Sequence, residues 1–131
     1  VKHLTVTQAV CALTILSRKL DEVAKSEHMA GLTKSAAATV KEKEFVEQLI
    51  LAAAPTVRKD EEELSTRERA AIRSGLKLYC RNARAASGTV TGLGRTEWAD
   101  MLTKEAEELE TKVLPGLEDQ TELKLASGSE K

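Results

Sequence analysis

Five cations share one helical stripe. Arg69, Arg73, Lys77, Arg81 and Arg84 recur every three or four residues, so a helix over 65–87 would carry them as one ridge. Guanidinium and ammonium groups at one-turn spacing can follow a phosphate backbone, each contact adding to a salt-dependent affinity. They can equally face a row of acids within the same fold. Candidates for that row are Glu97, Asp100, Glu107, Glu108 and Glu110. The second use is favoured, because nucleic-acid binders commonly carry an overall basic surplus and aromatic stacking groups. This chain has a formal net charge of −1 and 2% aromatic residues.

Other reactive types are sparse. Glu105 is the one acid on an apolar seam, which suits either a carboxylate with a raised pKa or, as favoured here, an edge residue or a partner for Arg73 or Lys77. Cys11 and Cys80 could pair with His28 as nucleophile and base, but a free cysteine is ordinarily a small buried hydrophobe. His3 and His28 are isolated, and neither cysteine has a second ligand at zinc-site spacing, so no metal or cofactor is expected. Glu61, Glu62 and Glu63 read as a solvated run. The stretch 87–94 holds Gly88, Gly92 and Gly94 and reads as a loop. It follows no strand and lacks the lysine and hydroxyl pair of a phosphate-binding loop. No convergent set of nucleophile, base and orienting group appears, so no enzyme is expected.

The elements that must position these residues are helices. Alanine and charged residues dominate and only Pro55 and Pro115 interrupt the chain. A first helix starts at Thr5 or Thr7, where Thr5 and Gln8 fit a capping box, and stops at Gly31. Val6, Ala9, Leu13, Leu16, Leu20, Val23 and Ala24 form its inner face. A second begins between Lys34 and Thr39, with a capping box at Thr39 and Glu42, and ends before Pro55. The run 58–63 is a solvated connector or a short extra turn. Ser65 and Glu68 cap a third helix, whose seam is Ile72, Leu76, Tyr79, Ala83 and Ala86. Gly75 inside it costs about 1 kcal/mol against alanine, unless a neighbouring helix needs the space. A fourth helix runs over 96–114 with Trp98, Leu102, Leu109 and Val113 as its seam and Met101 and Ala106 beside it; Pro115 and Gly116 stop it.

The expected fold is therefore all-α, a four-helix antiparallel bundle over 1–116 with a short, flexible, weakly structured C-terminal tail over 117–131. Seven cations against one acid over 65–95, followed by ten acids against four cations over 96–131, form adjacent blocks that would most simply neutralise each other. No apolar run nears the roughly 20 residues of a membrane span. Two cysteines with no signal peptide before Cys11 suit a reduced, cytoplasmic setting better than one long-range disulfide. A start at Val1 fits removal of an initiator methionine, or a processed or excised fragment.

The functional expectation follows from apolar residues off the main seams: Cys11 and Ile15 on the first helix, Val40 and Leu51 on the second, and Leu78 on the third. In a closed monomer these would be exposed, and such patches mark contact sites. The sequence thus reads as a non-enzymatic interaction or assembly protein, self-associating as a homo-oligomer or docking on a protein partner. The alternative is a small nucleic-acid-binding protein using the basic ridge.

Overall fold

Two capping boxes form as the sequence dictates. Thr5 accepts from the Gln8 amide at 3.1 Å while Gln8 accepts from the Thr5 amide at 3.0 Å, and Ser65 and Glu68 make the same exchange. They open the two longest helices. The computed structural model describes residues 1–118; the rest of the expected tail, 119–131, lies outside the described residues. The helices are α1 (Val6–Met29), α2 (Thr33–Leu51), α3 (Ala53–Arg58), α4 (Thr66–Gly92) and α5 (Thr96–Glu108). A single π turn (Leu109–Val113) and a 3-10 turn (Leu114–Leu117) follow α5. There is no strand among the described residues, and no helix there is long and apolar enough to cross a membrane.

The chain is an all-α bundle of two antiparallel hairpins, α1–α2 and α4–α5. Helix α1 packs on α2, α3 and α4, and α5 packs on α4. The core is aliphatic, with Leu13, Val46, Ile72, Leu76, Leu109, Val113 and Leu117 essentially removed from water. The Val1 nitrogen donates to the carbonyls of Val57, at 2.5 Å, and of Lys59, which ties the start of the described chain to the end of α3.

Both hairpin turns are built alike. At the end of α1 the Gly31 amide donates to His28 O and the Leu32 amide to Glu27 O. At the end of α4 the Gly94 amide donates to Thr91 O and the Arg95 amide to Val90 O. Gly31 and Gly94 have φ of 81° and 78°, the left-handed region this cap requires.

Several boundaries differ from expectation. The stretch 87–94 is not a loop: α4 continues to Gly92, and only Gly94 breaks it. Val90 is buried, and the Ser87 hydroxyl bonds Ala99 O at 3.0 Å, so packing against α5 holds the extra turns despite two helical glycines. The phosphate-loop alternative goes with the loop. Thr39 does not cap α2, which starts at Thr33; its hydroxyl instead donates to Ser35 O and to Glu27. Pro55 does not end α2 directly. That helix stops at Leu51, and Pro55 sits in the first turn of α3, where no intrahelical acceptor waits for its missing N–H. Ala86 is exposed rather than on the α4 seam. Leu117, expected in the tail, is 0% exposed, so the packed region reaches past Gly116.

The expected seam of the last helix holds at Leu109 and Val113, in the π turn, and in part at Leu102, but not at Trp98. Ala99, Ala106, Leu109 and Val113 face inward, whereas Trp98 is 54% and Met101 69% exposed. Ala99 lies against α4, where the Ser87 hydroxyl donates to its backbone carbonyl at 3.0 Å, while Trp98 beside it faces outward.

Candidate docking surface

The cationic ridge divides by use. The Arg69 Nε donates to Glu61 O at 2.8 Å, Arg73 pairs with Glu118 at 3.5 Å, and Arg84 grips Glu110 with two bonds of 3.1 and 2.8 Å. The expected match with the acids of the last helix therefore holds at one place, Arg84 with Glu110. Glu97, Asp100, Glu107 and Glu108 enter no ion pair among the described residues, and neither do Lys77 and Arg81. Arg67, just outside the ridge, pairs with Glu42 at 2.9 Å and lies 4.1 Å over the Phe45 ring.

Glu105 is not the partner of Arg73 or Lys77. Tyr79 donates its hydroxyl to Glu105 Oε1 at 2.6 Å, and Gln8 donates to Oε2 at 3.3 Å. One carboxylate thus ties α4 and α1 to α5. Burial, then the hydrogen bond to this carboxylate, holds the Tyr79 phenol well above its ordinary range. A raised folded-state pKa leaves its contribution to stability complete below the unfolded value near 10 and removes it as pH climbs toward the folded one. Tyr79 is the only tyrosine. Phenolate absorbance should therefore stay low above pH 10 and appear together with loss of helix; a free titration near 10 in folded protein would contradict the contact.

The cysteines are free and unlike each other. Cys80 is buried, its thiol directed at Ala106 O at 3.7 Å, and burial pushes it up to about 11. Cys11 is exposed. It lies 17 residues from His28 on one helix, about 25 Å at 1.5 Å per residue, so these two do not form a nucleophile–base pair. At pH 8, alkylation should modify one thiol per folded chain, at Cys11, and the second only on unfolding. Rapid modification of both would contradict the burial of Cys80. Among the described residues no group of three or more His, Cys, Asp or Glu side chains could hold a metal ion.

The off-seam apolar residues do not form one surface. Leu51 stands by itself at the end of α2, 85% exposed. Val40 lines an open trough of about 640 Å³ between α1 and α2, floored by Ala24, Ala36 and Ala37 and edged by His28 and Met29. Ile15 and Leu78 do come together. They are half-buried in a groove of about 380 Å³ between α1 and α4, with Arg18, Lys19, Glu22, Arg81 and Asn82 around them. Cys11 lies one turn before Ile15 on the same stripe of α1, and Lys77 one turn before Arg81 on α4.

This groove joins the two sets of residues that the sequence kept apart, aliphatic side chains and cations. Arg18 and Lys19 carry no motif in the sequence, although both stand at helical spacing from Ile15. The rim carries three cations and one acid around an aliphatic floor. Such a surface can bury an apolar side chain while its rim meets carboxylates. Compared with protein-family models, curated proteins and solved structures, the chain matches none of them.

Proposed function

We propose that the protein is a non-enzymatic helical interaction protein whose docking surface is the α1–α4 groove, and that its partner presents an acidic segment with large apolar side chains. The observation that carries this reading is the meeting of Ile15 and Leu78 inside a rim of Arg18, Lys19 and Arg81. Opposite charge sets orientation and rate of encounter, and the apolar contact supplies most of the affinity.

Three labelled peptides test it: one built of glutamate and leucine, its lysine–leucine counterpart, and its glutamate–serine counterpart. Only the first should bind. Ile15→Glu and Arg81→Glu should each weaken it by about tenfold or more, the loss of about 1.4 kcal/mol. Equal binding of all three peptides would contradict the reading.

A second reading, nucleic-acid binding, is favoured by Arg18, Lys19, Lys77 and Arg81, which enter no ion pair among the described residues. Against it, Arg69, Arg73 and Arg84 of the ridge are engaged within the fold. Duplex DNA over a salt series separates the two. Tight binding that falls steeply on a log-salt plot, and flattens when Lys77 and Arg81 become Gln, would replace docking with phosphate contact.

A further inference from the structure

Helix α5 carries the counterpart of the groove. Glu97, Trp98, Asp100, Met101, Glu107 and Glu108 are all exposed, and the four acids form no ion pair among the described residues. Glu97, Met101 and Glu108 share a stripe at helical spacing, with Trp98 beside it. The surface is thus a large apolar pair among four carboxylates, with Arg95, which lines a pocket with Glu97 and Trp98, and Lys104 as its cations. The groove is an aliphatic pair among cations, with Glu22 as the one acid. Within one copy the two do not meet: the groove is lined by α1 and α4 alone, while Trp98 and Met101 remain in solvent.

The geometry points to a second copy of this chain as the groove's occupant, with Trp98 and Met101 of α5 seated against Ile15 and Leu78 and the acids of α5 facing Arg18, Lys19 and Arg81. This inference rests on the groove being a docking surface. It accounts for the two opposite charge blocks, which the fold itself neutralises only in part. Tryptophan is the residue most enriched among those that dominate interface energetics. Each copy carries both surfaces, so two copies can pair reciprocally, each groove taking the other's α5, or link groove to α5 into a larger ring or an open chain.

Sedimentation of the full chain across concentration and salt tests this, with emission from Trp98, the only tryptophan, as a second readout. The parent should grow heavier with concentration, its emission should move to shorter wavelength, and salt should weaken both by screening the charges. Arg18→Glu with Arg81→Glu reverses the groove; Glu97→Lys with Asp100→Lys reverses α5. Each double variant should fold, as judged by circular dichroism, and lose self-association by about tenfold or more. Mixing the two should restore heavy species, because each then offers what the other accepts. A parent that stays monomeric at high concentration, or variants that associate as the parent does, would overturn the inference. In that event, binding of the glutamate–leucine peptide to the parent would preserve the docking groove with a different partner. Failure of the peptide as well would remove both.

Discussion

Gly75→Ala destabilises the protein by about 1–3 kcal/mol, the cost of forcing extra volume into a packed interface. A Cβ on Gly75 would stand 2.8 Å from Ala12 O and 3.0 Å from Ala12 C, which are backbone atoms of α1 and cannot swing aside. The helices α1 and α4 must then separate, and the groove beside this crossing opens with them. Intrinsic propensity acts the other way, since alanine in a helix interior is favoured over glycine by about 0.5–1 kcal/mol. Gly88→Ala supplies the control. Gly88 is in the same helix with nothing within 4 Å of its added Cβ, and there the exchange should stabilise. Urea unfolding of both variants decides the matter: two changes of the same sign would mean that the α1–α4 approach is not close.

Leu76→Ala has the larger expected effect, about 2–5 kcal/mol, the range for a buried leucine whose site collapses only partly. Leu76 is 0% exposed, one residue beyond the Gly75 crossing, and belongs to the cluster that includes Leu13, Ile72 and Leu109. A loss of this size is a sizeable share of the roughly 5–15 kcal/mol that holds a typical domain folded. Denaturant midpoints measure it, and a variant as stable as the parent would mean that Leu76 does not lie in the core.

The elements were largely legible because their signals are local. The boxes at Thr5 and Ser65, the stop at Gly31 and the spacing of Ile72, Leu76 and Ala83 need only neighbouring residues, and each is found in the fold. Errors arose where a distant element decides. Thr39 resembles a cap, but Glu27 and the Ser35 carbonyl engage its hydroxyl inside α2. Gly88 and Gly92 resemble a loop, but α5 packs along that stretch and keeps it helical. Trp98 fits the seam by spacing, but it is Ala99 that packs against α4, its carbonyl bonded by Ser87. Glu105 is expected against Arg73 or Lys77 across the fold and binds Tyr79 and Gln8 instead. The groove was half visible. Ile15, Leu78 and Arg81 stand out in the sequence, yet nothing along the chain says that α1 and α4 set them side by side; Gly75, which packs on Ala12, is the one local sign of that approach.

The most direct test of the docking groove uses its isoleucine. The chain has three, Ile15, Ile50 and Ile72, so methyl labelling at isoleucine yields three resolved reporters. Ile15 lines the groove, Ile72 is fully buried and Ile50 packs at the core edge on α2. On titration with the glutamate–leucine peptide, the Ile15 signal should shift progressively to saturation while those of Ile50 and Ile72 stay in place. No movement at Ile15 at peptide concentrations that saturate binding, or equal movement of all three, would contradict docking at the α1–α4 groove.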